Sequence, residues 1–184
     1  MDAELERLRM ELAQERRLAR LDPLTQLWNR RGILELLYRE FDRARREHSR
    51  VAVLFVDLDE FKGINDSVSH AAGDEVLCEI AARMRSVVRI YDSVGRYGGD
   101  EFVVIIAGTG ADRGASCVSA EITAKIRGQP IATTCGTVRV TASVGIAVAP
   151  AGAREPDRLI ADADQAMYTA KVAGGDTVRS SLLP

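Results

Sequence analysis

The chain has 184 residues, enough for one domain and a short appendage, and its 46% hydrophobic and 28% charged content supports a buried core and excludes disorder. A formal net charge of −2 excludes a nucleic-acid or membrane-surface binder held by bulk charge, so any phosphate-binding site must be local.

Residues 1–20 are dense in Glu, Arg, Leu and Ala without Gly or Pro, and Leu5, Leu8, Leu12 and Ala19 fall at a and d spacing, which predicts a helix. Charged Glu15 at a seam position leaves two readings open: a short coiled coil, or an amphipathic helix lying on its own domain. Asp22-Pro23 ends this helix, because the residue before proline avoids helical backbone, and divides the chain into an N-terminal linker helix (1–21) and a main domain (22–184). A second helix is predicted over Arg30–Glu47, then a strand over Val51–Val56 whose continuous apolar run reads as buried on both faces.

Helical spacing returns over 73–91, and Asp92–Tyr97 and Phe102–Ala107 read as a hairpin around Gly98-Gly99, a turn that tolerates positive φ. A helix over 114–127, a strand over Val138–Val148 and a helix over Pro156–Ala173 complete the pattern. The core order of strand, helix, strand, strand, helix, strand predicts an α+β fold with a ferredoxin-like split βαβ core, an antiparallel-rich central sheet flanked by helices.

Cys78, Cys117 and Cys135 are widely spaced and never form CxxC, so neither a disulfide framework nor a zinc site is indicated, and a reducing cytoplasm is expected. With only His48 and His70 present, any metal would be held by oxygen. No apolar run approaches the roughly 20 residues that span a bilayer, and Met-Asp-Ala-Glu-Leu-Glu-Arg lacks a secretory pattern, so neither a membrane segment nor export is expected.

Asp57-Leu58-Asp59 closes the predicted buried strand, where an ionised carboxylate is costly unless something positive meets it. Asp100-Glu101 follows the Gly98-Gly99 turn of a hairpin that should pair beside that strand, so four carboxylates are expected to converge on one sheet edge, with Lys62 close behind. Gathered oxygen ligands of this kind suit Mg²⁺, or Mn²⁺ in its place, completed by water and substrate phosphates.

Arg96-Tyr-Gly-Gly-Asp-Glu-Phe102 contains the GGDEF signature of diguanylate cyclases without a change, and the resemblance to that family runs from about Asp22 to about Gly174. Asp22-Pro-Leu-Thr25 with Leu27, Asn29, Arg30 and Arg31 resembles its DxLTxLxNRR motif. Asp57-Leu-Asp-Glu-Phe-Lys62 with Ile64-Asn65-Asp66 is similar to DxDxFKxIND, His70-Ala-Ala-Gly-Asp74 to HxxGD, and Tyr168-Thr-Ala-Lys171 to YxAK. The resemblance implies a palm-like fold shared with nucleotide cyclases and polymerases, and Mg²⁺-dependent condensation of two GTP molecules into cyclic di-GMP and pyrophosphate.

Carried over residue by residue, Asp57 and Asp100 would ligate metal through side chains and Leu58 through its carbonyl, with Glu101 either a second metal ligand or the base near the attacking hydroxyl. Asn65 and Asp74 match guanine-reading positions, which suits an amide and a carboxylate facing N1–H and N2–H₂. Lys62 and Lys171 match phosphate contacts, and Phe61 a neighbouring backbone contact. Because each domain of the family holds one GTP, catalysis implies a homodimer, for which the N-terminal helix is a natural device. Arg89-Ile-Tyr-Asp92 looks like the family's RxxD site, where cyclic di-GMP inhibits its own synthesis.

Two positions depart from the pattern: Gly175 stands where a phosphate-contacting Arg is common, and Ser69 where Gly usually precedes His70. The first predicts weakened GTP affinity with the chemistry retained, and motivates an alternative from another class: a weakly active or non-catalytic module that binds cyclic di-GMP or GTP for regulation or dimerisation.

Overall fold

A computed structural model describes residues 4, 6 and 7 and residues 19–181 apart from 109. Most of the predicted N-terminal helix, including Leu5, Leu8 and Leu12, lies outside the described residues.

Helix α1 spans Arg30–Glu47, as its spacing predicts. Asn29 starts it in extended backbone, and its Oδ1 accepts the Gly32 N–H at 2.9 Å. The same amide donates to the carbonyls of Ala19 (3.0 Å) and Leu21 (3.2 Å), so one side chain caps the helix and ties down the segment before it.

Strand β1 (Arg50–Leu58) is followed by α2 (Phe61–Ser67), α3 (His70–Val87), β2 (Ser93–Gly98), β3 (Glu101–Gly108) and α4 (Ala111–Gly128). A small β4–β5 hairpin (Ile131–Thr133 and Gly136–Val138) precedes β6 (Ala142–Ala149), α5 (Pro156–Val172) and β7 (Val178–Ser181). Ser69 sits in extended backbone, φ −179°, and its hydroxyl accepts the Ala72 N–H at 3.1 Å. The departure from Gly at that position therefore supplies the N-cap of α3.

The main sheet has the order β2-β3-β1-β6-β7, and each of its first four strands runs antiparallel to its neighbours among them. This is the predicted split βαβ core, with β7 added parallel to β6. On one face Leu54, Val56, Phe102 and Val104 pack against Val76 and Ile80 of α3 and Ile122 of α4. On the other, Val53, Phe55 and Ile105 meet Ile33 and Leu37 of α1 and Leu159 and Met167 of α5. Strand β1 is thus buried on both faces; a fully buried Leu54 or Val53 contributes about 1.5–3 kcal/mol through burial.

The structure corrects several sequence expectations. The predicted strand Val138–Val148 is two elements, β5 and β6, interrupted where the Thr141 carbonyl turns to accept the Asp59 N–H at 2.9 Å. Helix α3 begins three residues earlier than expected and ends at Val87, which leaves Arg89–Asp92 in a turn beyond the helix. Helix α4 begins at Ala111 rather than at 114. Elements α2, β4 and β7 are too short for periodicity to announce them.

Candidate active site

Asp57 is the last polar stop on a buried strand: it sits opposite Glu101 of β3 on one side and Ser143 of β6 on the other, and is 7% exposed. Its counter-charge is Lys171 of α5, which forms an ion pair with Oδ1, yet that buried oxygen receives no well-directed hydrogen bond. Burial raises the Asp57 carboxyl above its ordinary range; Lys171 offsets this in part, and Asp100 and Asp59 push it up again. Glu101 is likewise raised, by burial first and then by the charges of Asp57, Asp164 and Asp100. One lysine therefore fails to neutralise the carboxylates it faces.

The Leu58 backbone lies beside the hairpin turn, its N–H donating to the Asp100 carbonyl at 3.3 Å, while its side chain is fully buried. Asp57, Leu58, Asp100 and Glu101 are thereby neighbours, drawn from the end of β1 and from the hairpin turn and first residue of β3. Asp59 stands at the same sheet edge, near enough for its charge to raise Asp57, but its own oxygens are engaged elsewhere. Its oxygens accept Thr141 Oγ1 (2.7 Å), Ser143 Oγ (2.7 Å) and the Asp176 N–H (2.8 Å), so its charge is spent on holding the loop after α5 to the sheet.

Among the described residues no three His, Cys, Asp or Glu side chains gather as a ready-made metal cage. The residues present nonetheless fit a hard divalent cation that keeps water and substrate oxygens. They offer a buried carboxylate oxygen lacking a directed partner, a second carboxylate opposite it, and a local excess of negative charge.

Next to the carboxylates lies a cavity of about 310 Å³ lined by Phe61, Lys62, Asn65, Asp74, Arg96 and Asp100, among others. Helix α2 supplies the first three, and α3 supplies Asp74 one turn from its start. Close packing of these helices depends on Gly73, where a Cβ would stand 2.0 Å from Asn65 Oδ1. A side chain at 73 would displace the amide that faces the cavity.

Sequence reasoning missed Arg96 as a site-forming residue. Its Nε donates to the Gly99 carbonyl at 2.8 Å and its Nη1 reaches Asp22 Oδ1 at 3.3 Å, bolting the Gly99-Asp100 turn to the start of the domain. Asp22 also accepts the N–H (2.8 Å) and hydroxyl (2.7 Å) of Thr25. Burial works against the charged form of Asp22, but these bonds and Arg96 outweigh it and hold the carboxyl below its ordinary value. The available signal was the Asp22-x-x-Thr25 spacing, a local side-chain-to-backbone pattern.

Arg89 and Asp92 stand apart, at the opposite end of β2 from the Gly99 turn and about 20 Å away for a strand of that length. Asp92 Oδ2 accepts the Arg89 backbone N–H at 3.0 Å, which leaves the exposed Arg89 guanidinium out of this turn.

The sequence profile described as "Diguanylate cyclase, GGDEF domain" matches residues 19–177. The bifunctional diguanylate cyclase/cyclic di-GMP phosphodiesterase MucR of Pseudomonas aeruginosa is 42% identical over 85% of this chain, which spans 23% of that relative. The solved GGDEF domain of TpbB (YfiN) from P. aeruginosa superposes with a TM-score of 0.83 at 40% identity, covering 89% of this chain and 95% of that one. The coiled coil and GGDEF domain of DgcB from Caulobacter crescentus, solved in complex with c-di-GMP, gives a TM-score of 0.88 at 30% identity over 97% and 94% of the two chains. The sheet topology, the carboxylates on adjacent strands and the match over residues 19–177 agree: the chain belongs to the GGDEF-domain family of diguanylate cyclases.

Proposed function

We propose that this domain condenses two GTP molecules into cyclic di-GMP and pyrophosphate, with Mg²⁺ or Mn²⁺ as cofactor, acting as a homodimer in the cytoplasm. The observation that carries the proposal is the buried Asp57 opposite Glu101, short of positive charge and beside the Asn65 and Asp74 cavity.

In this reading Asp74 accepts from guanine N1–H and N2–H₂ and Asn65 serves the remaining base edge, so adenine would leave buried polar groups unpaired. Asp57, Asp100, Glu101 and the Leu58 carbonyl would hold the cation, which supplies charge stabilisation at the phosphates and a lowered pKa for the attacking ribose 3′-hydroxyl. Lys62 and Lys171 neutralise phosphate oxygens, and the Phe61 backbone shapes the same corner. The 3′-oxygen of one GTP bonds to the α-phosphorus of the other as the bond to the β-phosphate breaks. The electron pair leaves with pyrophosphate, and the hydroxyl proton passes to water, or to Glu101 where that carboxylate serves as the base rather than as a metal ligand.

One domain holds one nucleotide, so two domains must face each other, and a helix before Asp22 would raise their effective concentration. Cyclic di-GMP bound at Arg89 and Asp92 would then restrain the reaction. Purified protein given GTP and MgCl₂ should release pyrophosphate and cyclic di-GMP, with turnover per chain rising as protein concentration drives dimerisation. Absence of turnover by a confirmed dimer would defeat the proposal.

A further inference from the structure

A second and larger cavity, about 850 Å³, lies on the far side of α2 and meets the site just described at Lys171. Helix α2 is the partition: Phe61, Lys62 and Asn65 face the smaller cavity, and Gly63, Ile64 and Ser67 the larger. Lys171 is in the wall of the larger cavity and at the same time pairs with Asp57, so the counter-charge of the buried carboxylate also bounds this space.

We propose that Arg139, in the wall of this cavity, is the cation that grips the terminal phosphates of the bound nucleoside triphosphate, in place of the arginine that position 175 lacks. The inference rests on the proposed GTP site. A nucleotide with its base at Asn65 and Asp74 and its α-phosphate at Asp57 and Glu101 would extend its β- and γ-phosphates toward Lys171, which bounds the cavity.

The lining suits that cargo. Arg139 lies between β5 and β6, is exposed, and enters none of the described ion pairs, so its planar fork of donors is uncommitted. The space in front of it is kept open by backbone. Gly174 and Gly175 have φ of 111° and 75°, and a Cβ at 175 would stand 3.0 Å from the Asp59 Cγ. Position 175 therefore cannot readily offer a cation of its own, and Arg139 lines the same cavity. Of the two carboxylates in the lining, Asp59 is engaged by its three donors, whereas Glu60 is exposed. The cavity is consequently not a general anion trap, and recognition depends on phosphates tethered to a nucleotide already seated at the carboxylates.

The test is titration of the full chain with three probes in Mg²⁺: GMP, a GTP analogue with a methylene bridge between the α- and β-phosphorus, and pyrophosphate. Arg139→Ala should weaken the analogue and pyrophosphate about tenfold while GMP binding stays as in wild type, the loss expected for one charge-assisted phosphate contact. Arg139→Lys should recover part of the difference, and Glu60→Gln should tighten the analogue. Thermal unfolding of each variant, expected to match wild type, separates lost binding from lost folding.

If Arg139→Ala binds the analogue as tightly as wild type, or loses GMP and analogue equally, the assignment of Arg139 is wrong. In that event, cyclic di-GMP production by wild type would leave the cyclase proposal standing. Conversely, an Arg139-dependent preference for the triphosphate in a dimer that makes no cyclic product would sustain the cavity and remove the catalytic proposal.

Discussion

Asp57 and Asp59 are two residues apart on the same stretch of chain and live in opposite electrostatic worlds. Asp59 accepts three directed hydrogen bonds, two from hydroxyls and one from a backbone N–H. Asp57 is buried with a lysine alongside and an oxygen that receives no directed bond. A carboxylate supplied with its full set of donors holds structure together. One left short is a place where a cation and substrate phosphates can complete the coordination, and its environment costs stability to maintain.

The sharpest break in this comparison is Asp57→Asn. Turnover should fall about a thousandfold, with the melting temperature no lower than wild type, because the substitution removes charge from a buried site without emptying it. A variant that unfolds instead would show that Asp57 is a structural carboxylate like its neighbour.

Arg96→Ala should cost about tenfold to a hundredfold in turnover and about 1–2 kcal/mol in stability, since it frees the Gly99-Asp100 turn and leaves Asp22 without its guanidinium. Steady-state rates and urea unfolding measured together separate the two effects.

Asp59→Ala should behave as the inverse of Asp57→Asn. It should lose about 2–4 kcal/mol of stability, because Thr141, Ser143 and the Asp176 N–H lose their acceptor, and whatever activity remains at low temperature should retain its Mg²⁺ dependence.

A smaller effect tests Asp22. Its folded-state pKa is lowered, so its ionised form adds stability above the unfolded carboxyl value, and that contribution disappears as pH falls through the lowered folded value. The urea midpoint of Asp22→Asn should therefore lie below wild type at pH 7, with the gap closing below about pH 4. A gap that persisted in acid would point to packing.

Smallest in its effect on the basal rate is Arg89→Ala, at the far end of β2, which should leave the initial velocity unchanged and relieve inhibition by added cyclic di-GMP. Unchanged inhibition would remove the regulatory role proposed for that turn.

The site residues were legible because the chemistry is written in short blocks. Gly98-Gly-Asp-Glu-Phe102 and Asp57-Leu-Asp-Glu-Phe-Lys62 each carry ligands and turn residues within a few positions, and Arg30–Glu47 announces its helix by periodicity and a capping Asn29. What stayed hidden was long-range. Nothing local in Asp57-Leu-Asp59 distinguishes the two carboxylates, since the donors that claim Asp59 come from Thr141 and Ser143, 82 and 84 residues away, and the cation of Asp57 from Lys171.

The sequence by itself determined the family, the ferredoxin-like core and which residues to propose for the candidate site, because those depend on alternation, spacing and residue chemistry that act over a few neighbouring positions. Only the tertiary structure decided which carboxylate is satisfied and which is left wanting, that α2 divides two cavities, and that Arg139 and Gly175 line the same one. These are matters of which distant strands pair and which side chains meet across them, and they arise when the whole sheet closes around its buried central strand.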